Sequence, residues 1–206
     1  LTTHLHTFPS LTAFQSAYRP FHSTETALLR IQNDLLLAID QQKLTALLLL
    51  DLSSAFDTID HTILLSRLSS TYGIAGSALN LLSSYLINRT QSIRINSHTT
   101  APSSMPTGVP QGSVLGPLLF SLYTSPLSQI FVNSPVSFHL YADDTQIYIS
   151  FAANEFSDSS SVISSTLDSL WAWFSSNRLT VNPTKTEFLI IGTPQQRSKL
   201  ASSTIS

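Results

Sequence analysis

The feature that most restricts what this chain can become is the apolar run that opens at Leu44 and ends at Asp51. A strand with no polar face must be buried on both sides, which places it inside a sheet rather than at its edge. The length of 206 residues suffices for one substantial domain, or two small ones, with a real core. Apolar residues make up 42% and charged residues 11%, where about a quarter is usually charged; serine fills much of the difference. Apolar content at this level argues against disorder. No apolar stretch approaches the roughly 18 residues of a membrane span, and no signal peptide is recognisable at the start. The absence of cysteine excludes disulfides, thiolate zinc sites and cysteine nucleophiles.

Around that run the periodicity predicts a mixture of elements. Ala27, Leu28, Ile31, Leu35 and Ala38 are spaced for a helix over 22–41, with Ser23 and Glu25 suited to its first turn. Asp60 is placed to cap a helix reaching Tyr72, where Gly73 suits the terminal turn. Further helices are expected over 77–88, over 113–123 (with Gly116-Pro117 starting or kinking it) and over 158–177. Residues 91–96 and 185–191 read as strands. The runs 136–141 and 145–151 flank Ala142-Asp143-Asp144 in the pattern of a hairpin. Helices and strands without strict alternation predict an α+β fold around an antiparallel sheet. The segment after Gly192 is expected to be a loose tail.

Charge is distributed unevenly. The net charge is -2, yet no Lys or Arg occurs between Arg94 and Arg178, an interval that holds Asp143, Asp144, Glu155, Asp158 and Asp168. Asp51 ends the buried strand, and Asp143 and Asp144 lie at the predicted hairpin. Neighbouring carboxylates repel unless solvated, protonated or neutralised by a cation. Oxygen ligands suit Mg²⁺, and carboxylates converging from two strands would suit a two-metal site for phosphoryl or nucleotidyl transfer. Asp-Asp in a hairpin equally suits plain turn chemistry. Gly108-Val-Pro-Gln-Gly-Ser-Val-Leu-Gly-Pro117 fixes an irregular backbone that either enters a helix or lets a ligand approach. Without a lysine after its glycines it is not a P-loop.

In order, Leu48-Leu-Leu-Asp-Leu-Ser-Ser-Ala-Phe-Asp-Thr-Ile-Asp-His61, Gly108 to Phe120 and Tyr141-Ala-Asp-Asp144 resemble the motifs of reverse transcriptases, most closely the LINE-type, non-LTR retrotransposon group. Gln15 to Thr24 and Asn177 to Glu187 resemble that group's upstream and downstream motifs, so the resemblance spans roughly 15–192. It implies a right-hand polymerase palm with part of the fingers over 1–192, followed by a flexible tail over 193–206. Asp51, Asp143 and Asp144 then match the metal-binding catalytic carboxylates, for two Mg²⁺ ions with Mn²⁺ as an alternative. Phe56 matches the steric gate against a ribose 2′-hydroxyl. Gln111 and Gly112 match the loop that packs on the incoming nucleotide. Lys185 matches a lysine that assists the leaving pyrophosphate, and equally suits a solvated lysine before a strand. Arg19 matches a basic position touching template or phosphate, and also suits a surface residue beside Pro20.

The implied function is RNA-directed DNA polymerisation, with an RNA template, a DNA primer and dNTPs as partners, no membrane, and an intracellular location in nucleus or cytoplasm. No counterpart of the family's first fingers segment precedes Leu1 and no thumb follows Gly192, so a piece of a longer protein is expected. The alternative is a non-catalytic remnant that folds without turnover.

Overall fold

The computed structural model describes residues 14–132 and 134–203. Residues 1–13 of the expected polymerase domain and the last three of the expected tail therefore lie outside the described residues. The chain divides into two compact units.

The larger unit comprises Thr12–Ser53, Leu127–Ser176 and Thr180–Ser206. Its helix α1 (Thr24–Asp40) starts at Ser23, whose Oγ accepts from Thr26 N while Thr26 Oγ1 accepts from Ser23 N. This reciprocal cap satisfies two backbone donors that the first turn leaves free. Gln42, at φ 60°, turns the chain into β1 (Leu44–Leu50), which is buried along nearly its whole length. The strand expected from the apolar run is thus present, and it lies inside a four-stranded antiparallel sheet. The other strands are β6 (Ser137–Tyr141), β7 (Asp144–Phe151) and β8 (Glu187–Ile191), in the order β6-β7-β1-β8. Ile31 and Leu35 of α1 pack over Leu47, Leu49, Tyr148 and Ile191 on one face. The 3-10 turn Ala153–Glu155 leads into α5 (Phe156–Ser176), which buries Leu170 and Phe174.

The other unit comprises, among the described residues, Ser54–Pro126 and Asn177–Leu179. Here Asp60 caps α2 (His61–Ser70), its Oδ1 accepting from Ile63 N at 3.0 Å. Gly73, at φ 63°, closes the helix, with Ile74 N donating to Leu68 O at 2.9 Å. This left-handed stop is the one expected at that glycine. Next come α3 (Gly76–Leu86) and α4 (Leu115–Thr124). Pro117 falls in the first turn of α4, where a missing N–H costs no helical bond, so the Gly116-Pro117 pair starts the helix and does not kink it. Tyr72 Oη donates to Leu122 O and Ser125 Oγ, and Tyr123 Oη donates to Asn177 O. These hydroxyls tie the aromatic core of the unit to backbone.

Two expectations are corrected. Residues 91–96 form no continuous strand. They contribute to two exposed two-residue rungs, β2 (Thr90–Gln91) with β5 (Ser103–Ser104) and β3 (Arg94–Ile95) with β4 (His98–Thr99). No face of this ribbon is buried, so nothing selects a longer register. The segment after Gly192 is helical from Pro194 to Ser203 (α6) instead of loose. Thr193 and Gln196 cap it reciprocally, and buried Gln196 donates from Nε2 to Ile39 O at 3.2 Å.

Candidate active site

Strand register brings the site together. Leu50 pairs with Thr145, which sets Asp51 level with Asp144, and Leu49 pairs with Glu187, which sets Lys185 level with Asp51 from the other side. Three adjacent strands therefore present Asp144, Asp51 and Lys185 in a row at one end of the sheet. Two residues inward on the same face, as strand alternation requires, stand Gln146, Leu49 and Glu187. These side chains and Leu50 line an open cleft of about 320 Å³.

Lys185 Nζ lies 3.2 Å from Asp51 Oδ2 and donates to Oδ1 at 3.4 Å. Oδ2 is buried and has the ammonium as charge partner without an aligned hydrogen bond. Asp143 occupies the two-residue turn between β6 and β7, closed by the Tyr141–Asp144 pair, and does not line the cleft. Its charge is nonetheless felt. Burial, then Asp143 and Asp51, push the Asp144 carboxyl above its ordinary value, and Lys185 partly opposes them. Among the described residues, no three His, Asp or Glu side chains are grouped so as to hold a metal ion. Convergence of Asp51 with Asp144 is therefore observed, and a ready-made three-carboxylate cage is not. The donor chemistry still fits a hard cation: oxygen donors only, with a buried Oδ2 lacking a hydrogen bond and a neighbouring carboxyl whose ionised form is disfavoured.

The hairpin is held from outside. Ala142, at φ 55°, is a left-handed non-glycine. Its N–H donates to Gln15 Oε1 at 3.3 Å, and the same oxygen accepts from Ala17 N at 3.0 Å. Residues 14–16 lie along β6, with Ser16 N donating to Leu140 O, Leu140 N to Phe14 O, and Ser16 Oγ 2.9 Å from His139 Nε2. Burial, then Arg30 and His22, lower the His139 pKa. Tyr18 follows at φ 60°, and burial, then Asp143 and Tyr141, hold its hydroxyl above the ordinary range. Arg19, half-buried, donates from Nη1 to Gln15 O at 3.1 Å, so part of its guanidinium serves the backbone.

Phe56, Gln111 and Gly112 belong to the other unit. Phe56 is half-buried and stacks on Phe120, with centroids 4.8 Å apart. Gln111 is exposed and donates to Asp57. Gly112, at φ 72°, has open space where a Cβ would stand. Gln15, Tyr18, Gln146 and Glu187 were not singled out from sequence. Alternation from Asp144 would have found Gln146; nothing local marks Gln15 as a buttress.

The chain matches the family described as reverse transcriptase (RNA-dependent DNA polymerase) over residues 1–202. It is 31% identical over 182 residues to a probable RNA-directed DNA polymerase from transposon BS of Drosophila melanogaster, covering 84% of this chain and 19% of that protein. To the RNA-directed DNA polymerase from mobile element jockey of the same species it is 30% identical over 140 residues, covering 65% and 15%. The chain thus spans about a fifth or less of these relatives. Among solved structures, apo telomerase from Candida tropicalis aligns with a TM-score of 0.67 at 13% identity, covering 91% of this chain and 35% of that one. Telomerase from Candida albicans with a fragment of telomeric RNA aligns at 0.61 and 14% identity, covering 82% and 30%. That likeness is one of fold. The α+β right-hand polymerase architecture and the LINE-type resemblance are both borne out.

Proposed function

Because this chain belongs to the reverse transcriptase (RNA-dependent DNA polymerase) family, we propose that it carries a nucleotidyl-transfer centre that extends a DNA primer with dNTPs on an RNA template. The observation that carries this reading is the row of Asp144, Asp51 and Lys185 at one end of the sheet, set by strand register. Asp51, Asp143 and Asp144 are the side chains that would hold two Mg²⁺ ions, which supply activation of the primer 3′-hydroxyl and neutralisation of the leaving oxygen. Lys185 would supply a cation at the same end of the reaction: its side chain is 65% exposed, which leaves it accessible to pyrophosphate. Phe56 would exclude a 2′-hydroxyl, and the Gln111-Gly112 turn would face the nucleotide. Arg19 is the basic group nearest in sequence to the hairpin's buttress and would meet template or phosphate.

The ion pair between Lys185 and Asp51 also favours a second reading, a folded remnant in which lysine permanently replaces the metal as counter-charge. Mg²⁺-dependent primer extension on an RNA template separates the two. Extension that is lost in Asp143→Asn and Asp144→Asn, with the fold retained by circular dichroism, supports the polymerase. Turnover that survives both substitutions would exclude this cleft as the centre. No extension with any divalent cation, by this chain or by a version of it extended at both ends, supports the remnant.

A further inference from the structure

We propose that Asp57 is a positioning residue that fixes which end of the Gln111 side-chain amide is turned outward, so that the loop offers ligands a hydrogen-bond acceptor. The inference rests on the reading of Gln111 as a nucleotide-facing residue and adds to it what the residue can recognise. Gln111 Nε2 donates to Asp57 Oδ1 at 3.0 Å and to Oδ2 at 3.1 Å. An ionised carboxylate only accepts hydrogen bonds. The flipped amide would set a carbonyl oxygen against it, so Nε2 must face Asp57 and Oε1 must face elsewhere.

The loop around this pair is held against the segment carrying Asp57. Thr107 Oγ1 donates to Asp57 O, Gly108 N to Ile59 O and Val109 N to Phe56 O, all at 2.8–2.9 Å. His61 Nε2 lies 2.7 Å from Gly108 O. Gly108 is at φ +84°, and a Cβ there would stand 2.9 Å from Asp57 O. The backbone approach is thus too close for any side chain. These bonds keep the start of the loop beside Asp57 and so Gln111 within reach of it, where the carboxylate sets the polarity of the amide. Both side chains are exposed, which leaves Oε1 available and makes substitution compatible with folding.

The consequence is a selection rule. An outward carbonyl oxygen takes a donor such as a sugar hydroxyl or a base amino group, and the adjoining Asp57 charge repels phosphate oxygens. Gln111 therefore reads the nucleoside part of a nucleotide and not its triphosphate.

Nuclear magnetic resonance of the ¹⁵N-labelled chain tests both steps, with the Gln111 side-chain amide identified by its loss in Gln111→Ala. In the unsubstituted chain this amide should exchange its protons about fivefold more slowly than in Asp57→Asn, the effect of one net hydrogen bond. Asp57→Glu should restore the slow exchange. Asn offers a donor as well as an acceptor, and so admits either amide orientation. An amide indifferent to Asp57→Asn, with unchanged backbone shifts at Val109, overturns the proposal. Titration with dTTP and with inorganic triphosphate then separates the selection rule from the reading beneath it. A Gln111 shift with dTTP alone supports the rule, and an equal shift with triphosphate overturns it. A Gln111 signal unmoved by either overturns the nucleotide-facing reading and the rule with it, leaving the Asp57 contact to be judged by the exchange data.

Discussion

Asp144 is exposed at the end of its strand, yet partial desolvation and the facing Asp143 and Asp51 hold its proton more firmly in the folded chain than in the unfolded one. Between the ordinary carboxyl value and the raised one, the folded state binds more protons, and stability falls as pH rises through that window. At neutral pH the ionised group therefore opposes folding. Asp144→Asn should raise the melting temperature at pH 7, and the gain should vanish below the ordinary carboxyl range. A melting curve that does not move would mean that the charge is already compensated. Because Lys185 lowers the Asp144 value, Lys185→Met should raise it further, as read by titration of the carboxyl carbon resonance. Phe56 lies against Phe120 with part of its ring exposed. If it excludes ribose, Phe56→Val should narrow the preference of active polymerase for deoxynucleotides. An unchanged ratio would leave Phe56 as a packing residue.

At the scale of elements, the loop from Thr107 to Gly112 owes its path to two left-handed glycines in different surroundings. At Gly108 a Cβ would press on the Asp57 backbone; at Gly112 it would meet nothing within 4 Å. A left-handed L residue costs about 1–2 kcal/mol by itself. Gly112→Ala should therefore cost about 1 kcal/mol, and Gly108→Ala clearly more, since backbone must also yield. Denaturant unfolding of the two variants would check this ordering, and equal losses would mean that the close approach relaxes cheaply. Asp60 is a simpler case. Losing the cap it provides to Ile63 N should cost about 1 kcal/mol in Asp60→Ala.

For the whole molecule, charge placement limits how the chain can grip nucleic acid. Ten cations occur in 206 residues, and none lies between Arg94 and Arg178. Each phosphate neutralised contributes about -0.9 to the slope of log affinity against log salt on duplex. Primer-template binding by this chain should therefore be weak, with a slope shallower than about -5, and should strengthen with Mg²⁺ as the carboxylates are neutralised. Affinities across a salt series, with and without Mg²⁺, check this. A steep slope without metal would mean that the scattered cations are gathered on one surface.

Local chemistry by itself was enough for β1, for α1 with its Ser23 cap, for α2 with Asp60 and Gly73, and for the hairpin around Ala142-Asp143. In each of these the signal is a run of neighbouring residues whose burial or backbone geometry has one good solution. The reciprocal cap of α6 by Thr193 and Gln196 is equally legible as a start signal, although the Ser/Thr-rich composition beside the terminus reads as a tail. Residues 91–96 carried strand composition but no buried face to enforce it. What sequence could not decide were the pairings across the sheet. That Asp51 meets Lys185, that Asp144 stands level with both, and that Gln146 and Glu187 share their cleft follow from the registers of β7 and β8 on β1. That Gln15 holds the hairpin, and Asp57 holds Gln111, depends on contacts 127 and 54 residues apart. Local propensity carries no information at such separations, because only the packed chain brings those groups within hydrogen-bonding distance.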